Sequence, residues 1–286
     1  VCSRCHADSF CSFEIAAEMA KKSNVIIADY FHLLSPIIRP GFLFRIQKNL
    51  SDSIIIFDEA HNLASRARDL ASESISTRTL ELARREALSY GQDDIAQSLE
   101  LLNDLVLDLS KKKLENLEEI LLMKEDISAG INKFVKYEEF VVNLEYIAQA
   151  AREDKKRSFC GWVSSFLRTW NGSDEGFCRI LKRNYFRGKE NIELEYICLD
   201  PSIILIPLIK EAHSVIAMSG TLTPTSMYED LLGFSGAVKR EFANPFPREN
   251  RLNLIVGGIT TKYEKRTKDM NEKIALKLKD TLETIP

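Results

Sequence analysis

The sequence predicts an α/β protein whose strands flank a long, mainly helical middle. Three observations carry this reading. Short apolar runs bounded by polar residues stand at 25–28, 54–57 and 214–218, the pattern of buried strands. From Leu80 to Lys156 the chain is rich in Leu, Glu, Lys and Ala, with apolar residues at helical spacing. The composition, 45% hydrophobic and 28% charged, is that of an ordinary globular chain and excludes a disordered or fibrous polymer.

The elements follow in order. Residues 1–11 form a compact, cysteine-rich start. Residues 12–23 read as a helix, with Phe13, Ala16, Ala17 and Ala20 at helical spacing. Val25-Ile26-Ile27-Ala28 reads as a buried strand, and Pro36 and Pro40 punctuate the loop after it. Ile54-Ile55-Ile56-Phe57 is a second strand, ending abruptly in Asp58-Glu59-Ala60-His61. Ile95, Leu99, Leu102, Leu105, Val106 and Leu109 mark one long helix. Ile127, Ile131, Phe134, Val141 and Leu144 mark another, with Asp126–Gly130 as the break between them. Phe159, Trp162, Val163, Phe166, Leu167 and Trp170 form a further apolar stripe, read as core rather than a cofactor site. Asn171-Gly172-Ser173 reads as a turn. Strand-like segments return at Phe177–Leu181, Ile192–Leu199 and Ser214–Met218, the last running into Ser219-Gly220-Thr221-Leu222-Thr223-Pro224. A strand at Leu252–Val256 and a helix at Asn271–Thr281 complete the reading.

At roughly 100–200 residues per domain, the length suggests about two domains. No apolar run of about 18 residues occurs, so no membrane-spanning helix is expected. The first residues are polar, so no signal peptide is expected. Lys+Arg 39 against Asp+Glu 42 gives a net charge of -3, which argues against a wholly basic nucleic-acid binder and leaves room for a local basic groove. Of the six cysteines, Cys2, Cys5 and Cys11 cluster at the front, and Cys160, Cys178 and Cys198 are scattered. That spread is unlike a secreted disulfide scaffold and fits a cytosolic protein with a metal site at its start. The scattered three read as small buried hydrophobes.

Asp58 and Glu59 carry the clearest chemistry. They follow four large apolar residues, at the carboxyl end of a buried strand, where open α/β sheets place ligands. Two adjacent carboxylates there repel and need a counter-ion, which Mg²⁺ bound to a phosphate supplies. The first acid can hold that metal through water, and the second can orient or deprotonate an attacking water. His61 can contact nucleotide or a neighbouring strand end. The rival reading is a strand-to-helix turn with a capping Asp.

The run Ile54-Ile55-Ile56-Phe57-Asp58-Glu59-Ala60-His61-Asn62 resembles the DEAH box of superfamily 2 helicases. Met218-Ser219-Gly220-Thr221-Leu222-Thr223-Pro224 resembles motif III of the iron–sulfur helicases related to XPD. Asp29-Tyr30-Phe31-His32-Leu33-Leu34 resembles the segment between cluster and DEAH box in that family. Asn244-Pro245-Phe246-Pro247-Arg248-Glu249-Asn250 resembles its entry into motor domain 2. Thr221 lies 163 positions after Asp58 (221 minus 58), a gap that the family's arch insertion would fill.

The resemblance implies a RecA-like, P-loop NTPase type parallel sheet with a large, mainly α-helical arch. It implies that 1–11 end the iron–sulfur cluster domain. Residues 12–75 and 200–232 are then motor domain 1, 76–199 the arch, and 233–286 the start of motor domain 2. Cys2, Cys5 and Cys11 become ligands of a 4Fe-4S cluster whose fourth cysteine lies upstream. Zinc with His6 is the rival, made awkward because His6 adjoins Cys5. Asp58 is expected to hold Mg²⁺, Glu59 to activate the hydrolytic water, and Ser219, Gly220 and Thr221 to couple hydrolysis to DNA movement.

A phosphate-cradling loop of the form G-x4-G-K-[ST] is missing: the single Gly-Lys pair is Gly188-Lys189, and Arg183 stands where the first Gly belongs. The chain is therefore expected to be an internal segment of a helicase, inactive alone. The compact arch and brief cysteine spacing incline the expectation to an archaeal type. The intact protein is expected to be a monomeric, ATP-dependent 5′–3′ DNA helicase acting on single strands and junctions, in nucleotide excision repair. It should be cytoplasmic in a prokaryote and nuclear in a eukaryote, without membrane association. The alternative is a non-catalytic DNA- or partner-binding module on a helicase-like scaffold. For DNA contact, Arg179, Lys182, Arg183, Tyr185 and Arg187 stand out as cations and an aromatic with no intervening acid, against the reading of a solvated hairpin. Lys262, Lys265, Arg266 and Lys268 read as a solvated loop.

Overall fold

The computed structural model describes residues 11–155, 157–186, 188–247 and 253–284. The chain divides into two units, Val1–Ala237 and Val238–Pro286, which are taken separately.

The first unit opens with α1 (Ser12–Lys22), which carries Glu14 in its first turn and Lys21 and Lys22 in its last, matching the helix dipole. The expected strand at Val25–Ala28 is not formed. The segment has no ladder partner among the described residues, and Val25 and Ile27 are exposed. An extended run without a neighbour to satisfy its N–H and C=O groups is not a strand. Two short helices follow, α2 (Phe31–Leu34) and α3 (Ile38–Ile46).

Strand β1 (Ile54–Phe57) buries Ile55 and Phe57 and exposes Ile54 and Ile56, so only one face of the expected buried strand is covered among the described residues. Helix α4 (Leu63–Ala71) lays Leu63, Ala64 and Ala67 on that face. The chain then leaves through β2 (Glu73–Ser76) and returns much later.

Between them come α5 (Thr77–Ser89), α6 (Asp93–Lys113), β3 (Glu119–Leu122), α7 (Lys124–Ile131), α8 (Tyr137–Lys155), α9 (Phe159–Trp170), β4 (Phe177–Phe186) and β5 (Lys189–Cys198). The Ser76 hydroxyl caps α5 by accepting from Thr79 N at 3.2 Å. In α6, Asp93 and Asp94 open the helix and Lys111, Lys112 and Lys113 close it, while Ile95, Leu99, Leu102 and Val106 turn inward. The break expected at Asp126–Gly130 lies elsewhere. Asp126 is an N-terminal signal: its carboxylate accepts from Met123 N at 2.9 Å and starts α7. Two breaks stand instead: 114–123, which carries β3 between α6 and α7, and 132–136, where Asn132 Oδ1 accepts from Tyr137 N at 2.9 Å and opens α8. Gly130 sits against Leu105, and a Cβ there would meet the leucine methyl at 2.4 Å, so the glycine lets α7 close on α6.

The strands of this middle region form one antiparallel sheet in the order β2-β5-β4-β3. Leu99, Leu102, Phe140, Leu144, Phe166, Trp170, Leu181 and Leu194 share its core. Sequence periodicity showed the helices and two of these strands; that β2 and β3 join them came from pairing between distant segments.

After β5 the chain returns through α10 (Ser202–Glu211), β6 (Ser214–Ala217) and α11 (Thr225–Leu232). Strand β6 pairs with β1 in parallel, Ile54 opposite Ser214 and Phe57 opposite Ala217. A second core joins Leu34, Leu50, Ile55, Phe57 and Leu63 to Leu205, Leu208 and Leu232. Parallel pairing places the carboxyl ends of β1 and β6 at one edge, and that edge carries the site.

In the second unit, α12 (Lys268–Thr284) extends the helix expected at Asn271–Thr281 and has no buried residue. The described part of the strand expected at Leu252–Val256 forms none, and Leu254, Ile255 and Val256 are exposed. No helix among the described residues is long and apolar enough to cross a membrane.

Candidate functional site

The site is built where β1 and β6 end side by side. Beyond the strands, Met218 N donates to Phe57 O at 2.9 Å, and Ala60 N donates to Met218 O at 3.0 Å. These bonds tie the turn at 58–61 to the segment at 218–221, although each is remote from the other in sequence.

Within the turn, Glu59 adopts a left-handed backbone, φ 49° and ψ 40°, a conformation uncommon for a non-glycine residue. Asp58 Oδ1 accepts from Glu59 N at 2.9 Å. The Tyr30 hydroxyl donates to the Asp58 carbonyl. Burial pushes the Tyr30 hydroxyl above its ordinary pKa, and the Asp58, Glu59 and Asp29 carboxylates push it further, while Arg66 pulls it back.

Four side chains then converge. His61 Nδ1 lies 2.7 Å from Ser219 Oγ and 3.2 Å from Glu59 Oε2. Ser219 Oγ lies 3.3 Å from Glu59 Oε2 and 3.3 Å from Thr221 Oγ1. Thr221 N donates to Ser219 Oγ at 3.2 Å. One proton assignment serves the core of this network. Ser219 donates its single hydroxyl proton to the Glu59 carboxylate, which requires His61 to carry its proton on Nδ1 and donate it to Ser219. Gly220 faces open space. Asp58 and Glu59 are exposed, while His61 and Ser219 are half-buried. The geometry thus leaves two accessible carboxylates at a strand edge, one of them bonded to the neighbouring strand end. Tyr30 was not a candidate in the sequence, because its contact with Asp58 spans 28 positions and no local pattern marks it.

Of the expected cluster ligands, Cys11 is exposed at the start of α1, and its thiol makes no capping hydrogen bond. Cys2 and Cys5 lie outside the described residues. Among the described residues, no group of three His, Cys, Asp or Glu side chains is arranged to hold a metal ion. Burial pushes the Cys160, Cys178 and Cys198 thiols above their ordinary pKa, and Cys160 and Cys198 are fully buried, as small core residues are.

The expected DNA-contact set needs one correction. Arg179 is 4% exposed and is an internal strut. Its Nε donates to Trp170 O at 2.8 Å, and its second terminal nitrogen donates to Trp170 O at 2.6 Å and Gly172 O at 3.0 Å. Its first terminal nitrogen pairs with Asp174, and the guanidinium stands over the Trp170 and Tyr196 rings. It has no surface to offer a phosphate. Lys182 pairs with Glu195 at 3.7 Å and Arg183 with Glu190 at 2.8 Å, both across the β4–β5 ladder. The sequence shows no acid among these cations; the antiparallel partner strand supplies them. Tyr185 is exposed, and Arg187 lies outside the described residues.

Comparison with known proteins agrees with this architecture. Residues 2–80 match the DEAD_2 protein family. The General transcription and DNA repair factor IIH helicase subunit XPD/RAD3 of Saccharomyces cerevisiae is 24% identical over 88% of this chain and 40% of its own length. ATP-dependent DNA helicase CHL1 of Saccharomyces cerevisiae strain YJM789 is 23% identical over 76% of this chain and 28% of its own. A solved structure named XPD_Helicase superposes with a TM-score of 0.59 at 20% identity, covering 98% of this chain and 48% of that one. The chain therefore spans about two fifths of the length of the XPD/RAD3 relative. Both named relatives are eukaryotic and lend no support to an archaeal type. In sequence and in architecture the chain is XPD-like, and its fold is RecA-like, as in the XPD_Helicase structure.

Proposed function

We propose that the full-length protein is an ATP-dependent DNA helicase and that the 58–61 turn with the 219–221 segment is its hydrolysis and coupling site. The observation that carries this is the contact of Glu59 and His61 with Ser219 across two strand ends. Asp58 offers a hard carboxylate oxygen at an open edge, the donor type that suits Mg²⁺. Mg²⁺ held there with nucleotide phosphates would supply charge neutralisation at the transferred phosphoryl group. Glu59 accepts the proton of the attacking water, or aligns that water, from a carboxylate fixed by its backbone turn and by Ser219. Ser219 touches Glu59 and His61 directly, and Thr221 is linked to them through Ser219, so a change at the carboxylate reaches β6 and the elements behind it. No G-x4-G-K-[ST] run occurs in these 286 residues, so we assign the phosphate loop to the remainder of the full-length protein, and we expect this chain to be inactive alone.

The finer reading follows XPD-like proteins. Translocation runs 5′ to 3′ along single-stranded DNA, junctions are substrates, the protein is monomeric, and repair of bulky lesions is the associated role. The names of the relatives, a DNA repair factor helicase subunit and an ATP-dependent DNA helicase, support the helicase and repair parts of this reading. Cys2, Cys5 and Cys11 supply three soft thiolates suited to an iron–sulfur cluster, with a further cysteine outside this chain. Anaerobic reconstitution of the full-length protein should yield iron and labile sulfide; their absence would remove the cluster from the account.

The reading is tested by Glu59→Gln in the full-length protein. DNA-stimulated ATP hydrolysis should fall by at least about 100-fold, with single-strand affinity unchanged. Hydrolysis near the wild-type rate would overturn the assignment.

A further inference from the structure

We propose that Tyr30 is a positioning residue for Glu59: its hydroxyl, bonded to the Asp58 carbonyl, holds the Asp58–Glu59 peptide in the orientation that turns the Glu59 carboxylate toward Ser219. The proposal rests on Glu59 serving water activation.

The argument starts from the backbone. A non-glycine residue in the left-handed region persists only where its surroundings over-determine it. Glu59 is such a residue, with φ 49° and ψ 40°. The peptide plane that leads into it has two polar ends. Its N–H end, on Glu59, is taken by Asp58 Oδ1 at 2.9 Å. Its C=O end, on Asp58, is taken by the Tyr30 hydroxyl. With both ends held, the plane cannot flip without breaking two hydrogen bonds. Losing one of these bonds frees ψ of Asp58 and φ of Glu59 to relax from the left-handed geometry, and an uncompensated change in either dihedral turns the Glu59 Cα–Cβ bond away from Ser219.

Tyr30 is itself held from several sides. Its ring meets the Phe57 ring edge-on at 5.9 Å, and Phe57 is 2% exposed. Its carbonyl accepts from Leu34 N at 2.8 Å, and Leu34 is fully buried. The neighbouring Asp29 carboxylate accepts from Phe31 N at 2.9 Å and closes the turn in front of α2. The hydroxyl is therefore presented by a fixed ring on a fixed backbone. An aromatic ring alone would fill the same space, so the distinguishing group is the oxygen.

The test uses the full-length protein and steady-state ATP hydrolysis with single-stranded DNA. Tyr30→Phe should lower kcat on the order of tenfold, the scale of a small misplacement of a reacting group. KM for ATP and the melting temperature should stay at their wild-type values. Incorporating 3-fluorotyrosine at position 30 keeps the hydroxyl donor and should restore kcat. Tyr30→Phe with wild-type kcat, a fall in kcat matched by a fall in melting temperature, or no rescue by fluorotyrosine would each overturn the proposal. Glu59→Gln, measured alongside, separates the two claims: an inactive Glu59→Gln with a normal Tyr30→Phe removes only the positioning role, whereas an active Glu59→Gln removes the reading beneath it.

Discussion

His61 Nδ1 lies 2.7 Å from Ser219 Oγ, although the two residues are 158 positions apart in the chain. The middle region, with its own core, leaves the parallel pair between β1 and β6 undisturbed. It departs through β2 and comes back through β5, which are neighbours in one sheet. A long insertion is thereby tolerated, because its two ends are held together by that ladder.

Arg179 should matter for stability and not for DNA. Its removal strands the carbonyls of Trp170 and Gly172 and unpairs Asp174. Arg179→Met should cost about 3 kcal/mol, read as a lower urea midpoint by tryptophan fluorescence. Single-strand affinity of the refolded full-length variant should match wild type. A stable variant with weakened DNA binding would restore Arg179 to the DNA path.

The buried thiols give a second check. Cys160 is fully buried, its thiol is within 3.3 Å of Ala83 O, and burial with Glu86 nearby disfavours its thiolate. Iodoacetamide at pH 8 should label Cys11 in protein prepared without a cluster and spare Cys160 until denaturant is added. Rapid native labelling of Cys160 would show that the packing of α5 on α9 is wrong.

Glu86 joins those same helices. Its buried carboxylate accepts from the Ser158 hydroxyl at 2.8 Å and from Cys160 N at 2.7 Å, satisfying the first turn of α9. Glu86→Ala should destabilise the middle region by about 2 kcal/mol, measured by denaturant unfolding. An unchanged midpoint would mean that water serves the helix end equally well.

A pH dependence follows at Glu195. Burial holds its carboxyl above the ordinary range; Lys182 pulls it down, and Glu193 and Glu119 push it up. With the folded pKa raised, this group favours folding fully below its unfolded pKa of about 4.3, and that contribution is lost as pH rises through the folded value. Glu195→Gln should therefore be more stable than wild type at pH 7, with the gap closing toward pH 4. A gap that widens on acidification would contradict the sign.

Much of the frame was legible in the residues. The runs 54–57 and 215–218 announce themselves because four apolar residues end in a carboxylate or a hydroxyl, and the β4 and β5 segments and the long helices follow from periodicity. The missing knowledge was relational. Sequence could not show that Asn132, rather than Asp126–Gly130, marks the helix boundary, since both carry turn-forming residues. It could not show that the acids of β5 face the cations of β4, because pairing register is set by the folded sheet. It placed a strand at Val25–Ala28 from composition alone, without the neighbour that a strand requires. For the site, the sequence alone points to Asp58, Glu59, His61, Ser219 and Thr221, and the structure brings the last four into one network. Tyr30 escaped because its role depends on a single long-range bond.

A double-mutant cycle on His61 and Ser219 tests most directly whether the two strand ends act as one unit. DNA unwinding by the full-length protein is measured for His61→Ala, Ser219→Ala and both together. Each single change should slow unwinding roughly fivefold, the worth of one hydrogen bond of about 1 kcal/mol, and the double variant should be no slower than either. Multiplying effects, about 25-fold in the double variant, would mean that His61 and Ser219 act independently and would contradict the account.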